Sequence, residues 1–200
     1  AENIGYEEAV ELALGKIRQN SVISSWKDAL SSGKITPELM EYIEVPDKGV
    51  LTDKRKYGFK SKDLSRVKDN MWSIGGFNGW YYGTWLWKLR GFLDKLIGGV
   101  GLRRGRRSQR DLVAGDPLDF WRVLVADKEE CRILLYAEMK LPGDAWLEFH
   151  ITPNKEDADY ELNQTATFRP KGLWGRLYWY AVLPLHYFVF PGMAKGIIRK

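Results

Sequence analysis

The chain is predicted to be an α+β protein: a curved antiparallel sheet wrapped around one long C-terminal helix, with a helical arm in front. Residues 177–190 are apolar or aromatic at nearly every position, so as a helix they have no side suited to water and need enclosing. That run falls short of the roughly twenty residues a bilayer span requires, and Pro184 and His186 interrupt it. A wrapped core helix is therefore expected. Upstream lie several segments of strand character separated by short turns, which supply the sheet. Residues 1–45 are expected to form the arm and residues 46–200 the domain.

From Tyr6 to Gln19, Val10, Ala13, Leu14 and Ile17 have helical spacing, and Glu7, Glu8 and Glu11 fall in the early turns where the helix dipole favours them. Thr36-Pro37 reads as an N-cap with proline at the first helical position. Neither helix has a core of its own. After the turn Pro46–Gly49, residues 50–60 alternate as a first strand. Ser61 is expected to cap a helix whose buried stripe is Leu64, Val67, Met71 and Ile74, ended by Gly75-Gly76. A second helix is predicted from about Trp80, with Leu86, Leu89, Leu93 and Leu96 on its buried side and Gly98-Gly99 as its stop.

Strands are then predicted over residues 118–126, 131–140, 145–152 and 160–168, with a further short edge strand over 103–108. Alternation places Ile133, Leu135, Ala137 and Met139 inward, with Leu147, Phe149 and Ile151 on the next strand and Leu162, Gln164, Ala166 and Phe168 on the last. Glu138, Lys140, Glu148, His150, Thr165 and Thr167 then take the opposite face with Tyr136 and Trp146. Strand, two helices, antiparallel strands and a terminal helix is the helix-grip order.

Composition sets the bounds on function. The chain has 200 residues, enough for one domain with a sizeable core, and nine Trp, ten Tyr and eight Phe that must pack somewhere. One cysteine, Cys131, excludes an internal disulfide and fits a reducing, cytoplasmic setting. The chain begins without Met and runs directly into helix-like sequence, as a piece of a longer protein would. The net charge of +5 is mild, and no nucleic-acid motif accompanies the basic run 103–110, so nucleic acid is not expected as a partner.

The stretches IGGFNGWYY, LWKLRGFLDKLIGGVGLRRGRR, GDPLDFWRV, AEMKLPGDAWLEF, and GLWGRLYWY followed by PLH occur in this order from about Val50 to the C-terminus. They resemble a family of uncharacterised bacterial domains found at the C-terminus of short-chain-dehydrogenase-like, NAD(P)-binding proteins often labelled nucleoside-diphosphate-sugar epimerases. YEEAVELAL and SSWKDA are similar to the segment linking the two domains in such proteins. The resemblance implies a helix-grip fold of the START and plant-allergen type, with a cavity between sheet and helix. It also implies a Rossmann-like partner domain earlier in the full-length chain. It implies no established activity.

No cofactor is expected in this chain. Gly99-Val100-Gly101 with Gly105 lacks the preceding strand and following helix of a dinucleotide site, so NAD(P) would belong to the N-terminal domain. Two histidines, His150 and His186, without ligand spacing predict no metal. Arg104 and Arg106, flanking Gly105, are candidates to grip a carboxylate or phosphate, or serve to protect a sheet edge. Asp119, Glu138, Glu148 and His150 are the catalytic candidates if the domain is an enzyme in its own right, although the face assignment puts the last three outside the grip. His186, beside Pro184, would serve carbonyls freed by the proline, and buried Gln164 would meet a ligand, Tyr178 or Tyr180.

A hydrophobic small molecule is the expected partner. Trp80, Tyr81, Trp85, Trp121, Phe149, Gln164, Tyr178, Tyr180 and His186 are the expected pocket residues beside the two arginines. Two alternatives stand beside this binding module: a cofactor-independent enzyme working in its own cavity, and a membrane-surface module using the basic run and the aromatic helix.

Overall fold

Period-two alternation in the strands decides which way each residue faces, and from that the layers follow. The computed structural model describes residues 44–96, 98, 108–154 and 159–199. Strand β1 (Leu51–Phe59) leads through a 3-10 turn (Ser61–Asp63) into helices α1 (Leu64–Trp72) and α2 (Thr84–Leu96). There follow β2 (Pro117–Leu118), β3 (Trp121–Asp127), β4 (Arg132–Ala137), β5 (Gly143–Pro153), β6 (Tyr160–Pro170) and helix α3 (Gly172–Arg199). The strands form one antiparallel sheet in the order β1-β6-β5-β4-β3-β2. The first strand therefore pairs with the last, and α3 lies across the face they share with β5. The protein is α+β, with a six-stranded sheet gripping its terminal helix.

The inward faces read from the sequence are the buried ones. Ile133, Leu135, Ala137, Met139, Leu147, Phe149, Ile151, Leu162, Ala166 and Phe168 join one core with Val67 and Met71 of α1. The same core holds Trp179, Val189, Phe190, Met193, Ala194 and Ile197 of α3. A bulge between Val123 and Val125 interrupts the alternation of β3, so that Leu124 and Val125 both meet the face away from the main core. Val123 enters the main core, and Leu124 joins Leu134 and Trp146 in a second cluster on the other face, backed by Val45, Val125 and Tyr136. Trp146, expected among polar outward residues, is buried there.

Four expectations need correcting. Ser61 does not cap α1 with its side chain; it opens the 3-10 turn before that helix, where Asp159, in the loop before β6, accepts hydrogen bonds from the Ser61 amide at 2.7 Å and hydroxyl at 2.6 Å. That doubled acceptance holds the Asp159 carboxyl below its ordinary pKa. Helix α2 begins at Thr84 rather than Trp80, because Tyr81 and Gly83 adopt positive φ and keep the preceding turn non-helical. Its leucine side is not closed into the core: Leu89 and Leu96 stand partly in the open, whereas Trp87 and Asp94 are buried.

The largest correction concerns α3, which is held on one side only. Leu173, Trp174, Leu177, Tyr180, Leu185, Tyr187 and Phe188 are all exposed, and 28% of the helix's most apolar window is buried. An open sheet reaches one flank of a helix lying on it, and α2 scarcely touches α3 on the other side. By length and composition α3 is apolar enough to cross a bilayer, but its inner flank is committed to the sheet. The expected arm, except its last two residues, and the arginine segment 103–107 lie outside the described residues.

Candidate functional site

Because α2 does not close against α3, the space between them is a cavity of about 520 Å³ floored by the sheet. Helix α2 supplies Leu86, Trp87, Leu89, Arg90, Asp94 and Leu96; α3 supplies Tyr178, Trp179, Val182, Leu185, His186, Val189 and Phe190; the sheet adds Trp121, Met139, Ala145, Ala166 and Phe168. The size is that of a small-molecule pocket, and the walls are overwhelmingly apolar. Leu89, Leu96 and Leu185, half exposed, mark the mouth.

At the end nearest β3, Trp87 stacks on Trp80 at 4.6 Å and lies 5.8 Å from Phe120, with Trp121 edge-on at 6.3 Å. Trp80 is fixed by its indole N–H donating to Asp119 Oδ2 at 2.6 Å. The indole nitrogens of Trp87 and Trp121, both cavity-wall residues, are buried without an acceptor.

Two polar centres interrupt the apolar wall. Arg90 donates to the Tyr178 hydroxyl and approaches Met139 Sδ at 3.1 Å, with its guanidinium 5.7–5.9 Å above the Tyr178 and Phe120 rings. Across the cavity, His186 stacks on Phe190 at 4.3 Å and meets Trp179 edge-on at 5.4 Å. Its Nδ1 lies 3.4 Å from Asp53 Oδ2 but off the line of a hydrogen bond, so it is a close approach rather than a bond. Asp53 is held by Arg55 at 3.0 Å, and Arg55 in turn lies 4.8 Å over the Tyr187 ring. Burial pushes the His186 imidazole down to about 4; Asp53 opposes that shift while the Arg90 and Arg55 charges reinforce it. His186 is neutral at pH 7. It turns toward β1, not toward the carbonyls freed by Pro184.

Of the residues singled out from sequence, Trp121, Tyr178 and His186 line the cavity, and Trp80 stands one ring behind its wall. Phe149 and Gln164 face each other across β5 and β6 in the core outside it. Both amide atoms of Gln164 are buried without a partner, so it meets neither Tyr178 nor Tyr180. Tyr81 packs on Gly196 of α3 and donates to the Asn70 carbonyl at 2.9 Å. Trp85 and Tyr180, 67% and 61% exposed, are off the cavity wall, Tyr180 because it follows the inward Trp179 by about 100° of helix turn. Arg104 and Arg106 lie outside the described residues.

The catalytic candidates do not converge. Asp119 serves Trp80 and borders a separate hollow beside Gly75–Gly79. Glu138 pairs with Arg122 at 2.9 Å and Glu148 with Arg132 at 2.6 Å. His150 sits opposite Arg132 and Asn163 in the sheet. None of the four lines the cavity. Among the described residues, no group of three His, Cys, Asp or Glu is placed to hold a metal.

Arg90, Asp53 and Arg55 were not singled out from sequence. The legible signal was Arg90 itself, a cation set among Leu86, Leu89 and Leu93 on the apolar side of a helix. Asp53 and Arg55 look like ordinary edge-strand charges.

A family model described as "Protein of unknown function (DUF2867)" matches residues 47–193. No curated protein matches the chain. Among solved structures, norcoclaurine synthase from Thalictrum flavum is 13% identical, with 75% of this chain and 84% of that one covered and a TM-score of 0.41. A member of the major latex protein family from Arabidopsis thaliana is 6% identical, with 78% and 99% covered and a TM-score of 0.42. A Thermobifida fusca protein is 14% identical, with 74% and 93% covered and a TM-score of 0.42. Likeness at this level says nothing about ligand or chemistry.

Proposed function

We propose, for a chain that belongs to the DUF2867 family of proteins of unknown function, that its domain binds a hydrophobic small molecule between α2, α3 and the sheet. The observation that carries this reading is the apolar cavity of about 520 Å³, walled by stacked tryptophans and left open at a leucine-lined mouth. Apolar walls facing water forgo roughly 25 cal/mol per Å² of stabilisation, which a fitting ligand recovers. Thermal denaturation with a panel of apolar probes tests it: a tight ligand raises the midpoint through mass action. Ala166→Phe, which intrudes on the cavity, should abolish that shift. A panel without any shift sinks the reading.

In the intact protein the domain would present or select substrate for an NAD(P)-binding, short-chain-dehydrogenase-like domain of the epimerase-labelled kind. The support is the resemblance of the motifs from residue 74 onward and of the segment at 6–30. The upstream reading frame tests this: one without a Rossmann-type domain rejects it. An independent enzyme draws no support from the cavity, which none of Asp119, Glu138, Glu148 and His150 lines.

A second reading is favoured by a specific observation. Exposed Trp174, Leu177, Tyr180 and Phe188 on α3 and Trp85, Phe92 and Leu96 on α2 form apolar surfaces beside exposed Lys88, Lys95 and Arg176. Helix α3 contains no acidic residue. Aromatic and cationic side chains without acids suit an anionic lipid surface. Flotation with vesicles containing phosphatidylserine, but not with neutral vesicles, is the expected result; indifference to lipid charge rejects this reading.

A further inference from the structure

The polar groups of the cavity are lopsided in a way that identifies one end of its ligand. Arg90 is always charged, yet its partners are a tyrosine hydroxyl, a thioether sulfur and two ring faces, with no carboxylate at ion-pairing distance among the described residues. Asp53, the nearby acid that also acts on His186, is occupied by three hydrogen bonds from Arg55. Asp94, the acid on the cavity wall, accepts the Lys140 amide at 2.8 Å and forms no ion pair with Arg90. The Tyr178 hydroxyl accepts from Arg90, which leaves its own proton to give. The indole N–H groups of Trp87 and Trp121 lack acceptors. The wall thus offers a cation and spare donors, and its carboxylates are taken. A partly buried guanidinium without an anion is costly unless one arrives with the ligand.

We propose that the cavity takes an amphipathic acid, its carboxylate seated on Arg90 and the Tyr178 hydroxyl and its apolar body lying against Leu86, Leu89 and Val182. This rests on the small-molecule reading above and specifies the class of molecule. Arginine and tyrosine together supply charge-assisted donors in the fork geometry that a carboxylate matches. The neutral His186 across the cavity adds no second positive charge, so a single acid group is satisfied there. Val182 and the leucines leave an apolar path from Arg90 to the mouth.

The test compares dodecanoate with 1-dodecanol by calorimetric titration at pH 7.5, against wild type, Arg90→Met and Tyr178→Phe. Wild type should bind the acid at least tenfold more tightly than the alcohol. Arg90→Met should weaken acid binding tenfold or more while changing alcohol affinity much less, and Tyr178→Phe should lower acid affinity less than Arg90→Met. Alcohol binding shows that each variant retains a folded cavity. The wild-type comparison decides even if a variant fails to fold. Equal affinity for acid and alcohol in wild type, or an acid preference that survives Arg90→Met, overturns the proposal while leaving the apolar-cavity reading standing. Binding of neither probe overturns the proposal, and an apolar panel that also fails takes the cavity reading with it.

Discussion

His186 ties the cavity to pH. Its pKa lies at about 4 against an ordinary 6.5, so between those values the unfolded chain holds a proton that the folded chain does not. Stability from this group is full above pH 6.5 and is lost as pH falls toward 4, by at most about 3 kcal/mol. The groups facing it are Asp53 and Arg55 of β1 and Arg90 of α2. His186→Phe keeps the stack on Phe190, and its urea midpoint should show a flatter fall between pH 6.5 and 4.5 than wild type. An unchanged slope would assign the pH dependence to other groups. Burial also ranks the two ion pairs of β4 and its flank. Arg122 and Glu138 are 4% and 9% exposed, with Arg122 also donating to the Gly115 carbonyl at 2.8 Å. Glu138→Leu strands that cation and should cost about 3–5 kcal/mol, whereas Glu148→Leu, freeing a more exposed Arg132, should cost under about 1 kcal/mol. Urea denaturation separates the two.

Helix α3 has two flanks with different duties. Trp179 stacks on Phe168 at 5.9 Å in the core, while Leu177 and Tyr180 face outward. Trp179→Ala should destabilise by about 3–5 kcal/mol. Leu177→Gln with Tyr180→Gln should change stability by less than about 0.5 kcal/mol each and reduce any binding to anionic vesicles. A large loss from the outer pair would show that flank to be packed in solution. Further along, the aromatic turn after α1 lies directly on the helix. A Cβ at Gly196 would meet Tyr81 Cβ at 2.6 Å, and one at Gly192 would strike the Tyr82 ring. Tyr81 also holds a left-handed φ of 63° and bonds back to Asn70, so it has little room to retreat. Gly196→Val should cost about 1–3 kcal/mol by overpacking, read as a lower thermal midpoint.

At the scale of the whole molecule, α3 completes the core between the first and last strands. Deleting residues 171–200 removes Trp179, Val189, Phe190, Met193 and Ile197 from it. At roughly 1.5–3 kcal/mol for each large side chain, the loss rivals the ~5–15 kcal/mol by which domains are usually stable. The truncated chain should aggregate or remain unfolded; deletion of residues 1–30 should cost much less. A soluble 1–170 chain with a cooperative unfolding transition would show that the sheet stands without its helix.

Sequence alone determined the strands, their inward faces and the terminal helix, because each is written in a local period. Ile133, Leu135 and Ala137, or Leu162, Gln164 and Ala166, alternate whatever surrounds them. The exposure of Tyr180 and Phe188 was not legible, since a helix apolar all round carries no mark of which flank the sheet will take. A cavity was expected from the resemblance, but no local period showed its place between the two helices, where it exists because α2 stays apart from α3 and leaves Leu89 and Leu96 facing a gap instead of a core. Arg90 acquires its meaning from Tyr178, 88 positions away in the chain, and from carboxylates that the fold has paired elsewhere. Side-chain periodicity is a property of neighbours in sequence, whereas burial, cavities and unmatched charge depend on what the fold brings opposite them, and here tertiary structure decided those.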